Sequence, residues 1–136
     1  MPLFRTSTFL RWVLLADAAT CIAVGLLMSF GSGLLEQFLG LPTELSRYAG
    51  FSLLPFAAFL IYLAGRENLS PPAVWAVIVL NALWTVDSIL LLLGGWFEPT
   101  GLGYAFVIFQ AFGVAMFAGL EYFGLRKSAT ATVVPT

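Results

Sequence analysis

The stretch Asn81-Ala82-Leu83-Trp84-Thr85-Val86-Asp87-Ser88 interrupts an otherwise apolar run that extends from Ala73 to Leu93. The run is long enough to cross a lipid bilayer, because about 20 helical residues at about 1.5 Å per residue span the hydrocarbon core. A carboxyl group in such a segment is energetically costly, and its presence suggests a functional site. The stretch therefore predicts a membrane helix with a polar cluster around Asp87.

The composition places the chain among membrane proteins. Of its 136 residues, 60% are hydrophobic and 10% are charged, whereas a soluble domain carries about 25% charged residues. The net charge is −1 and there is no basic tract, so nucleic acid is not an expected partner. The chain has no His, no Cys pair, no Gly-rich phosphate loop and no nucleophile motif. We therefore expect no enzymatic activity, no metal and no cofactor.

Four apolar runs of spanning length predict an all-α fold, a polytopic membrane four-helix bundle that forms one domain over 1–127. The predicted helices lie near 8–30, 44–65, 72–95 and 102–125. Gly or Pro marks each boundary, as in Gly31, Pro42, Pro71 and the turn Glu98-Pro99-Thr100-Gly101.

The two ends of the chain lead to separate expectations. The first run is long and contains Asp17, which favours a retained membrane helix over a cleaved signal peptide. The segment 128–136 is small and rich in Ser, Thr and Ala, and a disordered tail is expected there.

The positive residues predict the orientation. The N-terminal segment, the second loop and the C-terminal segment carry Arg5, Arg11, Arg66, Arg126 and Lys127, and the other loops carry only Arg47. Because positive residues remain on the cytoplasmic side, we expect a multi-pass protein of the bacterial inner membrane with both termini in the cytoplasm. In the first loop, Leu34, Leu35, Phe38 and Leu39 recur at helical spacing. This pattern predicts a short helix in the outer interface, the alternative being a capping turn packed on the bundle.

Five candidate ligand-binding residues fall at similar depths: Asp17, Asn81, Trp84, Asp87 and Gln110. In a helix that spans 72–95, Asp87 lies about 5 Å outside the midplane and Asn81 about 4 Å inside it. Asp17 lies near the centre of the first helix, and Gln110 matches Asp87 in depth. The five residues predict one polar layer that binds a ligand. The alternative is that they are hydrogen-bonding contacts between helices.

The expected chemistry of this layer depends on the absence of cationic side chains at the same depth. Neither Asp17 nor Asp87 has a Lys or Arg at matching depth, so we expect one or both carboxyls to be neutral. A neutral carboxyl donates a hydrogen bond, and it releases a proton when a cation arrives. Trp84 offers a ring on which a cation or an apolar ligand can stack, and the alternative is a large side chain in lipid or in the core.

Other polar and small residues receive structural interpretations. Glu121 lies near the predicted inner end of the fourth helix, with Arg126 and Lys127 after it, and a surface anchor is expected. Stripes of small residues predict helix packing within the bundle or in a homo-oligomer. They comprise Ala19 and Ala23 on the first helix and Ala111, Ala115, Ala118 and Gly119 on the fourth.

Several short motifs carry a resemblance. They are Leu10-Arg11-Trp12 leading into Leu15-Ala16-Asp17-Ala18, Arg47-Tyr48-Ala49-Gly50, Leu54-Pro55-Phe56 and Leu80-Asn81-Ala82-Leu83-Trp84. From about Arg11 to Lys127, the chain resembles a group of small uncharacterised bacterial inner-membrane proteins with four helices, which implies the fold and the membrane location but no activity. In architecture alone it is similar to small four-helix multidrug exporters, which work as dimers around an acid on the first helix. Asp17 fits such an acid, but the surrounding motif is absent.

These observations lead to two functional hypotheses. The leading one is a non-enzymatic membrane protein with a binding or accessory role. It would hold a small lipophilic or cationic molecule, or a partner helix, at the polar layer, with membrane lipids around it. The alternative is a proton-coupled transporter or exporter that works as a dimer.

Overall fold

Five helices and three short strands make up the computed structural model, which describes residues 3–95, 99–131 and 133–134. The helices are α1 Thr8–Phe30, α2 Ser32–Leu39, α3 Thr43–Ala64, α4 Pro71–Leu93 and α5 Gly101–Ala131. Four of them, α1, α3, α4 and α5, are long and apolar enough to cross a membrane. The prediction of a helical chain with four spans is confirmed. Glu98, the first residue of the turn predicted before the fourth span, lies outside the described residues.

The helix ends follow local capping chemistry. The Ser7 hydroxyl accepts the backbone N–H of Leu10 at 3.1 Å and so caps α1. At the other end of α1, the Gly31 N–H donates to a carbonyl one turn earlier at 2.7 Å. Before α5, the Thr100 hydroxyl accepts the Gly103 N–H at 3.1 Å. Each cap satisfies a backbone group that the helix itself leaves without a partner.

The most extensive helix contact joins α1 and α3. Gly25 and Gly50 let the two backbones approach closely at their crossing. A Cβ atom built on Gly50 would lie 2.6 Å from Ser29 Oγ and 2.7 Å from the Gly25 carbonyl oxygen. The small-residue stripes of the sequence predict helix contacts at other positions, such as Ala19 and Ala115, and do not include this crossing.

The third span, α4, packs chiefly on α5, and α5 in turn meets α1 where Leu10 faces Gly124. The buried apolar core follows these contacts and includes Leu10, Leu14, Leu60, Val74 and Val77. Backbone contact between α4 and the α1–α3 pair is sparse by comparison. Side chains therefore decide how α4 is joined to α1, and cavities lie between them.

A small antiparallel sheet lies at one end of the helices. Its central strand, β1 Leu3–Arg5, pairs with β2 Asn68–Leu69 on one side and with β3 Val133–Val134 on the other. Next to β1, the Thr6 N–H donates to the Glu67 carbonyl at 2.8 Å. The sheet thereby joins the N-terminal segment, the second loop and the C-terminal segment.

The C-terminal segment differs from the disordered tail predicted over 128–136. The helix α5 continues to Ala131, and β3 follows as Val133–Val134. The reason is backbone pairing, because the edge of β1 opposite β2 presents unpaired N–H and C=O groups that a second strand can satisfy. Residues 132, 135 and 136 lie outside the described residues.

The first loop forms α2, which makes contacts with α1, α3 and α5. Its Leu35 is buried, whereas Leu34 and Phe38 are exposed. Gly40 ends the helix with a left-handed φ of 72°, a conformation that glycine adopts without strain. The segment is thus a helix that packs on the spans through one face and leaves apolar side chains outside.

The small residues singled out in the sequence have mixed positions. Ala111 is buried, Ala118 is partly buried, and Ala19, Ala23, Ala115 and Gly119 are exposed. The exposed ones leave shallow apolar faces on α1 and α5. Within the described chain they do not form the principal helix contacts.

The Gly25–Gly50 crossing leads to a stability prediction. We expect Gly50→Ala to lower the free energy of unfolding by about 1–3 kcal/mol, because the added methyl overlaps backbone and Ser29 atoms. The measurement is detergent titration of the purified protein in mixed micelles. The control is Gly119→Ala, where a Cβ meets no heavy atom within 4 Å. Equal losses in the two variants would contradict the close crossing.

Candidate functional site

A cluster of three polar side chains lies where α1, α4 and α5 meet. The Asn81 Nδ2 group donates to Asp17 Oδ2 at 2.8 Å and to Glu121 Oε1 at 2.7 Å. Asp17 is 1% exposed, Asn81 is 3% exposed and Glu121 is fully buried. We call these three residues the carboxyl cluster. Because an amide nitrogen carries two hydrogens, Asn81 can supply one to each acid.

Glu121 is fully buried, so the prediction that it is a surface anchor is wrong. The predicted helix end near residue 125 put Glu121 in the last turn, whereas α5 continues to Ala131. The same face of α5 carries the partly buried Ala118 three residues earlier and the buried Leu125 four residues later. An acid between these two apolar positions was the signal in the sequence that could have identified it.

The carboxyl cluster has one further contact and one unsatisfied atom. The Cys21 thiol lies 3.5 Å from Asp17 Oδ1, one helical turn along α1. Glu121 Oε2 is buried and has no hydrogen-bond partner. The described contacts of Asp17 and Glu121 include no Lys or Arg. The described partners of the two acids are therefore the amide of Asn81 and the thiol of Cys21.

A second polar cluster joins α4 to α5 about one turn further along α4. The Trp84 indole Nε1–H donates to Gln110 Oε1 at 2.6 Å, and Gln110 Nε2 donates to Ser88 Oγ at 2.8 Å. The Ser88 hydroxyl in turn donates to the Trp84 carbonyl at 2.8 Å. The ring of bonds is closed, so these three side chains satisfy one another.

The structure divides the predicted layer of five residues. Asp17 and Asn81 belong to the carboxyl cluster, and Trp84 and Gln110 belong to the second cluster. Asp87 joins neither, since its side chain is exposed and forms no hydrogen bond with another described residue. Asp17 and Asp87 therefore do not form one polar group, although their depths in the sequence were similar.

Asp87 instead lies at a cavity of about 220 Å³ between α1, α3, α4 and α5. Most of its lining is apolar, including Met28, Leu45, Leu91 and Phe106, and its polar lining residues are Ser46, Trp84, Asp87, Ser88 and Gln110. We call it the Ser46 cavity. Ser46 is fully buried, and its hydroxyl has no hydrogen-bond partner among the described residues. Such a group costs about 1–3 kcal/mol unless something in the cavity satisfies it.

Trp84 also borders two neighbouring cavities of about 220 and 280 Å³. One of them reaches Asn81 and Cys21, and the other reaches Asp17 and Gln110. The indole ring thus lies between the Ser46 cavity and the space beside the carboxyl cluster. Rotation of this one side chain would change the separation between the two spaces.

The described residues bring together no group of three His, Cys, Asp or Glu side chains that could hold a metal ion. Comparison of the chain with known protein families, curated proteins and solved structures returns no match. Function is therefore inferred from the geometry of the two clusters and the Ser46 cavity.

The carboxyl cluster makes Asn81 a critical contact. We expect Asn81→Leu to lower the free energy of unfolding by about 1–3 kcal/mol, since it leaves both acids without their amide donor. The matched control is Thr85→Val, one turn along the same face. The Thr85 hydroxyl donates to the Asn81 carbonyl of its own helix at 3.0 Å, so its loss removes no contact between helices. Chemical unfolding of both variants checks this, and a neutral Asn81→Leu would contradict it.

Proposed function

We propose that this protein is a non-enzymatic, multi-pass protein of the bacterial cytoplasmic membrane that binds a small lipophilic molecule with a cationic group in the Ser46 cavity. Its four spans would form a bundle with both termini in the cytoplasm, and α2 would lie in the outer interface. The observation that carries the proposal is the Ser46 hydroxyl, which is fully buried at an apolar cavity without a hydrogen-bond partner.

The size of the cavity limits the ligand. An engineered apolar cavity of about 150 Å³ binds benzene, and the Ser46 cavity has about 220 Å³. A ligand with one or two fused rings fits this space, and a whole lipid or a large drug does not. The apolar lining side chains would contact the rings.

The polar lining residues define the functional group of the ligand. Asp87 supplies a carboxyl that no described residue pairs, and Trp84 supplies the face of an indole ring, which attracts cations. Ser46 supplies a hydroxyl that can accept or donate a hydrogen bond. A protonated amine would satisfy all three, because it carries positive charge and several N–H donors.

The proposed orientation rests on charge. The end of the protein that carries the sheet also carries Arg5, Arg11 and Arg66, whereas the opposite loops carry Arg47 alone. This asymmetry follows the positive-inside rule. In this orientation, the Ser46 cavity would lie in the outer half of the membrane, because Leu41, Ser46 and Leu91 lie near the helix ends opposite the sheet.

Membrane lipids would cover the exposed apolar faces, and a second copy of the chain is a further candidate partner. The exposed faces around Ala19 and Ala23 on α1 and around Ala115 and Gly119 on α5 are shallow enough for close helix contact.

The orientation can be tested by cysteine labelling in a Cys21→Ala background. We expect Gly33→Cys, in α2, to react with a membrane-impermeant maleimide in intact cells. We expect Glu67→Cys, in the second loop, to react only after the cytoplasmic membrane is opened. Both positions are exposed, which makes the two variants a matched pair. The reverse labelling pattern would contradict the proposed orientation.

Ligand binding can be tested with naphthylmethylamine and its uncharged analogue methylnaphthalene. We expect Asp87→Asn to weaken binding of the amine about tenfold, or about 1.4 kcal/mol, and to leave the uncharged analogue unaffected. Ala49→Leu puts a larger side chain into the cavity lining and should weaken both. Titration calorimetry in detergent micelles measures the dissociation constants.

The control for non-specific partition is Ala115→Leu, an exposed position on α5 outside the cavity lining. Equal binding by this variant and by Ala49→Leu would contradict a site in the Ser46 cavity. A second candidate function is a proton-coupled transporter that works as a dimer, favoured by the buried acids beside the cavities. Accumulation of the amine in proteoliposomes under a pH gradient would favour transport over simple binding.

A further inference from the structure

We propose that the carboxyl cluster is an intramembrane proton-binding site, in which Asp17 and Glu121 hold one proton between them. The site is separate from the Ser46 cavity, and the inference does not depend on the proposed ligand. It concerns a group that the ligand-binding role leaves unused, since Glu121 lines neither the Ser46 cavity nor the two cavities beside it.

The available hydrogen-bond donors leave one carboxyl oxygen of the cluster without a partner. The two carboxyls present four oxygen atoms. Asn81 Nδ2 donates to Asp17 Oδ2 and Glu121 Oε1, and the Cys21 thiol faces Asp17 Oδ1. Glu121 Oε2 is the remaining oxygen and has no partner. A proton bound there would turn an unsatisfied acceptor into a donor.

This donor would have an acceptor nearby. The Asp17 and Glu121 carboxyls are neighbours, because Asp17 Oδ2 and Glu121 Oε1 accept from the same Asn81 nitrogen at 2.8 and 2.7 Å. With one proton on Glu121, its O–H can donate to the Asp17 carboxylate while Asn81 continues to donate to both acids. All three side chains then have partners, and the cluster carries one negative charge in place of two.

Electrostatic repulsion between the two acids also favours a shared proton. Two carboxylates at this separation in an apolar interior repel each other strongly, and a pair of like acids that shares a site holds a proton for this reason. A neighbouring cation could remove the repulsion, but the described contacts of both acids include no Lys or Arg.

The other titratable groups around the cluster do not change this balance. From α1, Cys21 approaches Asp17, and Arg11 donates to the Arg66 carbonyl. From α5, Tyr122 packs its ring against Trp75, and the cations of Arg126 and Lys127 lie over the rings of Tyr122 and Phe9. From α4, the amide of Asn81 approaches but carries no charge. The titratable side chains of α3 are all exposed, namely Glu44, Arg47, Tyr48 and Tyr62.

Infrared spectroscopy of the full-length protein in lipid tests the proposal. At neutral pH, we expect the carbonyl stretching band of a protonated carboxylic acid that exchanges slowly in heavy water. Isotopically labelled glutamate should shift the band without any substitution, because Glu121 is the buried glutamate among the described residues, and Glu36, Glu44 and Glu67 are exposed. Glu121→Gln should abolish it, and Asp87→Asn should leave it intact.

A stability measurement provides an independent readout. If the folded protein holds a proton that the unfolded chain releases to water, the free energy of unfolding falls as the pH rises above neutral. Glu121→Gln imitates the protonated acid, since its amide can accept from Asn81 and donate to Asp17. This variant should therefore lose less stability at alkaline pH than the wild type.

The proposal would be overturned by the absence of the band in the wild type or by its persistence in Glu121→Gln. A band that vanishes in sodium buffer and returns in choline buffer would assign the site to sodium and overturn it as well. None of these results depends on amine binding, so failure of the proton site and failure of the Ser46 cavity can be distinguished.

Discussion

The amide group of Asn81 is the contact on which the arrangement of the spans depends. Its two hydrogens reach acids on two other helices, at 2.8 Å to Asp17 and 2.7 Å to Glu121. In hydrocarbon, apolar side chains gain little by leaving lipid for protein, so hydrogen bonds and close packing must supply the specificity of helix association. Among the described residues, no other side-chain hydrogen bond joins α4 to α1. The Asn81 amide is thus the described polar contact that sets the position of α4 relative to α1.

The polar residues of α4 serve two different environments. Asn81 points into a contact between three helices, where both of its acid partners are buried. One turn further along, Trp84 and Ser88 form a closed ring with Gln110 at the wall of the Ser46 cavity. Asp87 lies beside that ring without a described hydrogen-bond partner. A satisfied network holds the cavity wall in place, and the Asp87 carboxyl and the Ser46 hydroxyl line the cavity without a described hydrogen-bond partner.

Hydropathy and turn residues were sufficient to predict the four spans, because length and apolar content are imposed by the bilayer. Depth along each helix was also informative, since Asp17 and Asn81 meet as their depths suggested. Rotation about each helix axis was not predictable, because it depends on the neighbours. For this reason Asp87 was grouped with Asp17, although it lies on another face of α4.

Two further features of the structure differ from the prediction. The end of α5 was predicted too early, since its last turns contain charged and small residues, and this error moved Glu121 from the interior to the surface. The Gly25–Gly50 crossing was not predicted either, because two glycines on separate helices indicate a contact only when their partners are known. In both cases the missing information is tertiary and cannot be obtained from one helix at a time.

The wide spacing of the carboxyl cluster along the chain has a consequence for biosynthesis. Asp17 leaves the ribosome long before Asn81, and Glu121 emerges last. At the translocon, an Asp at the centre of a span costs about 2.5–3.5 kcal/mol, and α1 must bear this cost while its partners are not yet synthesised. The long apolar stretch around Asp17 has to be hydrophobic enough to insert with only the Cys21 thiol of its own helix beside the acid, and the Asn81 amide becomes available only when the third span enters the bilayer. Assembly of the cluster is therefore a late event, completed by the last span to be made.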